Sequence, residues 1–142
     1  MKKIITVLSV IFLLINGIGA LYGSYGLISD PSGEKMQLPL SLLENSPFRN
    51  YLLPGIILLI VNSLVSFIAM GTIVANYRYS SLFIFTQGIL LSGWIIMQVI
   101  ILHTFYALFH ATFLGIGLFF IYSGIYLRKM KSIEQKVPIE NN

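Results

Sequence analysis

The chain has 142 residues, 56% of them hydrophobic and only 10% charged, with a mean hydropathy of +0.85. Soluble domains carry about 25% charged residues, so this composition belongs in a bilayer and leaves no room for a separate soluble catalytic domain. The formal charge of +4 sits at the chain ends and in one short turn, a topology signal and not a nucleic-acid footprint; the lack of cysteine excludes disulfides, thiol relays and cysteine-ligated metals.

Lys2 and Lys3 precede an apolar run from Ile4 to Ile28. A basic start and the small residues Gly17, Gly19 and Ala20 resemble a signal peptide, but hydrophobicity continues through Leu21, Tyr22, Leu27 and Ile28, which favours a retained helix. Ser29-Asp30-Pro31-Ser32-Gly33 ends it, because proline cannot continue a helix and Asp, Ser and Gly supply turn chemistry. The polar loop that follows, residues 29–53, contains Leu38, Leu40, Leu42 and Leu43 around Pro39, the pattern of a short interfacial helix.

Ser46-Pro47 reads as a cap and first helical residue, and Pro54-Gly55 as either a kink or the true start of the second span. Asn76-Tyr77-Arg78-Tyr79-Ser80 is a polar turn suited to the headgroup region. The apolar tract from Leu82 to Leu127 is about twice the ~30 Å hydrocarbon thickness at ~1.5 Å per residue, so it holds two helices, with a hairpin expected at His103-Thr104-Phe105-Tyr106. The spans are thus about 4–28, 54–76, 81–102 and 106–127, and the tail 129–142 is too polar to fold alone and is expected to be disordered. Of the nine Lys and Arg, all but Lys35 and Arg49 fall on the side of the N-terminus. The fold expected is an all-α, four-helix transmembrane bundle with both termini in the cytoplasm, multi-pass in the inner membrane.

No Asp, Glu, Lys or Arg falls inside these spans, which weighs against a proton- or cation-coupled transporter. Their polar residues are Asn16, Asn62, Gln87, Gln98 and His110. Gln87, Leu91, Trp94 and Gln98 recur at helical spacing and share one face. Trp94, Gln98, Gln87, Asn62 and His110 are therefore the candidate ligand-binding residues, lining a cavity between the second, third and fourth helices; the alternative is that the amides only bond between helices. His103 and His110 lack the partners that a haem or metal site needs and read as interfacial residues flanking the hairpin. Gly19 and Gly23, Gly88, Ser92 and Gly93, and Gly115 and Gly117 are small residues suited to close helix contact. Nucleophile, phosphate-loop and nucleotide motifs are missing, and no catalytic residue, metal or cofactor is expected.

Asp30-Pro31-Ser32-Gly33, Leu38-Pro39-Leu40, Ser46-Pro47-Phe48-Arg49, Pro54-Gly55 and Gly93-Trp94 followed by Gln98 together resemble a group of small uncharacterised bacterial membrane proteins with four spans, similar in architecture alone to the DoxX-like proteins. The resemblance covers most of the chain and carries no activity. The function expected is a non-enzymatic accessory subunit or a binder of a small hydrophobic or lipid-like ligand. Its partners would be membrane lipids, that ligand, and a homo-oligomer or a partner membrane subunit, with no nucleic acid. Two alternatives remain: an enzyme acting on a lipid or isoprenoid-like substrate at the outer interface, through Asp30, Glu44 or the histidines, and a small channel or transporter lined by Asn16, Asn62 or Gln87.

Overall fold

The computed structural model describes residues 1–102 and 106–136. Four helices dominate: α1 (Lys2–Ser29), α2 (Leu52–Val74), α3 (Ser80–Leu102) and α4 (Ala107–Lys136), with no strand among the described residues. All four are long and apolar enough to cross a membrane. Each packs on its neighbours in the chain, and α4 closes back on α1, so the bundle runs up, down, up, down. One end carries the long loop between α1 and α2; the N-terminus, the α2–α3 turn and the last described turns of α4 share the other.

The helix boundaries follow from local chemistry. Asp30 N–H still donates to Gly26 C=O at 3.1 Å before Pro31 stops α1. Ser46 does not cap a helix: its hydroxyl donates to Leu43 C=O at 2.9 Å and accepts from Phe48 N–H at 3.2 Å, closing a turn instead. The helix start belongs to Asn50, whose side-chain oxygen accepts from Leu52 N–H at 3.1 Å. Pro54 therefore lies in the first turn of α2, where a missing N–H leaves no bond unmade, and it introduces no kink. The expected interfacial helix is reduced to two single 3₁₀ turns, Glu34–Met36 and Leu40–Leu43. At its far end α2 stops in a Schellman motif: Asn76 takes φ +50°, Tyr77 N–H donates to Thr72 C=O at 2.8 Å and Asn76 N–H to Ile73 C=O at 3.0 Å.

The end of α4 departs from expectation. The segment after Arg128, read as disordered, continues the helix to Lys136. Polarity alone does not unwind it, because the bundle supplies partners: Lys2 forms an ion pair with Glu134 at 2.7 Å, and Lys131 Nζ donates to Ser80 Oγ at 3.1 Å and to Tyr77 C=O at 3.3 Å. These contacts also fix the N-terminus and the end of α4 beside the α2–α3 turn; residues 137–142 of the expected tail lie outside the described residues. Residues 103–105 of the expected hairpin, His103 included, lie outside the described residues.

The interior is layered. Leu13, Ile84, Leu91 and Phe120 are buried in the main apolar core, and Leu27, Leu43 and Tyr51 form a second cluster beneath the long loop. Helices α3 and α4 touch through their backbones. A methyl group at Gly88 would lie 2.6 Å from Ile121 N and 2.7 Å from Gly117 O, and one at Gly124 would lie 2.6 Å from Phe85 Cβ. The GxxxG pair of α1 behaves differently. A methyl at Gly23 would meet Leu58 Cδ2 at 3.2 Å, whereas one at Gly19 would meet nothing within 4 Å.

Candidate functional site: an apolar cavity with a polar floor

Near the middle of the bundle, α2 widens. Residues Leu59–Leu64 form a π-helical turn, a form that appears mostly as a single turn within an α-helix and often at functional sites. The turn carries Asn62 and Ser63, both fully buried. Ser63 Oγ donates to Gly17 C=O at 3.0 Å, and Asn16 Nδ2 donates to Ser66 Oγ at 2.9 Å and to Asn62 C=O at 3.4 Å. From α3, Gln87 Nε2 reaches Asn62 Oδ1 at 3.4 Å. A polar knot thus joins three helices at mid-height, where an apolar surrounding makes an unmet polar group costly.

Above the knot, toward the loop end, lies a cavity of about 330 Å³. Asn62, Leu91, Trp94, Gln98, Phe113 and His110 contribute to its wall. Four of the five residues singled out in the sequence, Asn62, Trp94, Gln98 and His110, therefore share one chamber. Gln87 does not: it sits behind Asn62, fully buried, and holds that residue in place. The chamber also differs in its helices. Besides α2, α3 and α4 it is bounded by α1, through Asn16, which sequence reading had offered only as a channel lining, and through the small residues Gly19, Ala20 and Gly23, of which the two glycines had been assigned to packing. Their small size was the available signal, since a run of missing side chains leaves either a close contact or a notch.

Trp94 also walls a smaller apolar cleft of about 60 Å³, shared with Gln98, Met97 and Ile101 and closed by Leu43 and Tyr51 of the loop cluster. The side-chain nitrogen of Asn62 and the side-chain oxygen of Gln98, on two residues of the larger cavity's wall, are buried and have no partner among the described residues. One is a donor and the other an acceptor. His110 lies in the first turn of α4 and is 2% exposed, and its Nδ1 accepts from Tyr106 N–H at 3.0 Å. In the neutral ring that acceptor role leaves the proton on Nε2.

The long loop roofs the chamber with Met36 and Leu38. Tyr51 holds the loop down: its N–H donates to Pro31 C=O and its hydroxyl to Pro39 C=O, both at 3.0 Å. Burial pushes the Tyr51 phenol above its ordinary value, so it stays protonated and keeps donating. Its ring lies against Gly33, whose φ of +81° and contact with Leu38 C=O leave no place for a side chain.

The acidic residues of the loop are engaged elsewhere. Asp30 accepts from Ser32 Oγ at 2.6 Å and from Lys35 N–H at 2.8 Å, and these bonds lower its pKa below the ordinary carboxylate value. Its carboxylate is a turn former with both oxygens in use. Glu44 is exposed. Among the described residues no cluster of His, Asp and Glu is able to hold a metal. The chain matches no protein-family model, no curated protein and no solved structure.

Proposed function

We propose that this is a multi-pass protein of the bacterial inner membrane, with both termini in the cytoplasm, that binds a small hydrophobic or lipid-like ligand in the chamber above the Asn62 knot and catalyses no reaction. The charge distribution supports the orientation. Lys2, Lys3, Arg78, Arg128, Lys129 and Lys131 gather at the end that holds the N-terminus and the α2–α3 turn, and Lys35 and Arg49 at the loop end.

The observation that carries the binding reading is an apolar cavity bounded by all four helices, with Asn62, Trp94, Gln98 and His110 in its wall. Its volume lies at the lower end of the ~300–1,000 Å³ of small-molecule sites, which are mostly apolar with a few placed polar groups.

Native mass spectrometry of the protein released from membranes tests this reading. The wild-type protein is expected to carry a small adduct that exchanges for added hydrophobic compounds. Ala20→Phe, which places a ring in the chamber from a residue on its wall, is expected to lose the adduct while keeping the helical content and gaining thermal stability. A wild-type protein that carries no adduct above the background of bulk lipid would refute the proposal.

A further inference from the structure

Two voids meet at Trp94. The chamber of about 330 Å³ and the cleft of about 60 Å³ share four wall residues, Leu27 of α1, Leu38 of the loop, and Trp94 and Gln98 of α3. Leu91 and Ile95 line the chamber alone, and Leu43 and Tyr51 the cleft alone. The same boundary divides the apolar interior. Trp94, Leu91 and Ile95 belong to the main core, whereas Leu27, Leu43 and Tyr51 form the cluster beneath the loop. Trp94 is the bulkiest of the four shared residues, and at 9% exposure it stands buried where both pairs adjoin.

The two voids differ in what they can hold. An apolar cavity of ~150 Å³ takes one benzene ring, so the chamber has room for a ring or a length of chain and the cleft has room for neither. The cleft also leads elsewhere. Its wall includes Met97, which is 45% exposed on the surface of α3, and Tyr51, whose bonds to Pro31 and Pro39 hold the loop down. A ligand that passed Trp94 would lie beneath the loop and reach the outer face of the bundle at Met97. An indole is well suited to prevent this, because it is flat and rigid with only two rotatable side-chain bonds. Displacing it from a close-packed core would forfeit its contacts there.

Resting on the binding reading above, we propose that Trp94 is the specificity-determining residue of the chamber. Its indole is the end stop on the α3 side: it limits how far the apolar body of the ligand extends and bars it from the space beneath the loop. With a smaller side chain at residue 94 the two voids become one, longer by about a ring and running from Asn62 to Leu43 and Tyr51.

Biphenyl, a rigid rod of two rings, tests the end stop, with isotope-labelled leucine and isoleucine methyls as reporters of where its rings lie. In the wild-type protein in one detergent, the methyls of Leu91 and Ile95 are expected to shift as biphenyl is added and those of Leu43 to stay still. In Trp94→Ala all three are expected to shift with one midpoint. That midpoint is expected about tenfold or more below the wild-type value, the fold-change that burial of a further ring brings. Trp94→Leu, which keeps an apolar side chain in the core, is expected to give the same pattern and serves where the alanine variant does not fold. Phe113→Leu enlarges the chamber from α4, away from the cleft, and is expected to leave Leu43 silent. A Leu43 response equal to that of Leu91 in the wild-type protein or in Phe113→Leu would overturn the end stop, as would a silent Leu43 in a folded Trp94 variant. A wild-type protein in which neither Leu91 nor Ile95 responds would instead remove the binding reading itself.

Discussion

Gln87 Nε2 donates to Asn62 Oδ1 at 3.4 Å, a bond from α3 to α2 that joins a residue outside the chamber wall to one within it. The two amides therefore have separable roles. Gln87→Leu is expected to lower thermal stability by roughly 1 kcal/mol, the scale of an interhelical hydrogen bond in a membrane bundle, with ligand affinity changed by less than about threefold. Asn62→Leu, which changes the chamber wall itself, is expected to weaken binding about tenfold. Parallel unfolding and ligand titrations of the two variants check the separation; equal losses of affinity would join the residues into one role.

The glycines divide by what surrounds them. Gly88→Leu forces a side chain against the α4 backbone at Ile121 and Gly117, and overpacking of that kind costs about 1–3 kcal/mol. Gly115→Ala, at a position with nothing within 4 Å, is expected to be neutral or to stabilise by up to about 1 kcal/mol through helix propensity. Thermal melts in one detergent order the pair, and a reversed order would contradict the close α3–α4 contact.

The loop has a predictable response to acid. Asp30 has its pKa lowered by the Ser32 hydroxyl and the Lys35 N–H, so the ionised form favours the folded loop. That contribution is complete above the ordinary carboxylate value of about 3.9 and is lost as pH falls through the lowered value. Exchange of the Lys35 amide is therefore expected to stay protected down to about pH 4 and to rise only below it. Asp30→Asn, in which an NH₂ replaces one acceptor oxygen, is expected to expose the same amide at neutral pH. Protection that disappears near pH 6 would point to a different titrating group.

The ion pair between Lys2 and Glu134 is exposed at both side chains, 38% and 54%, and pairs of that kind contribute about 0–1 kcal/mol. Glu134→Gln is expected to shift stability by less than about 1 kcal/mol, and 1 M salt to abolish the difference. Lys131→Met is expected to act more locally, raising amide exchange in the last turns of α4 because it frees Tyr77 C=O and Ser80 Oγ. Unchanged exchange there would mean that the helix end holds itself.

Much of the fold is legible from residues one at a time. Four apolar runs give four helices, Pro31 ends the first, and the candidate residues Asn62, Trp94 and Gln98 are conspicuous as polar or amphipathic groups in apolar sequence. Ser46-Pro47 misleads because the same hydroxyl that caps a helix also closes a turn, and only the neighbouring Asn50 decides which. The polar end of α4 misleads because its partners, Lys2 and the Tyr77–Ser80 turn, are remote in sequence.

Composition and periodicity by themselves determined the class of protein, the number of helices and the apolar character of their surfaces, because these depend on how each residue partitions between water and hydrocarbon. Only the tertiary structure decided that Gly88 and Gly117 bring backbones together while Gly19 leaves a notch, and that Gln87 supports Asn62 from behind while Trp94 and Gln98 line the chamber beside it. A glycine or an amide reads the same in sequence whether it faces a neighbouring helix, a cavity or lipid. Which of these it meets is set by how four helices rotate against one another, and that depends on all of their side chains at once.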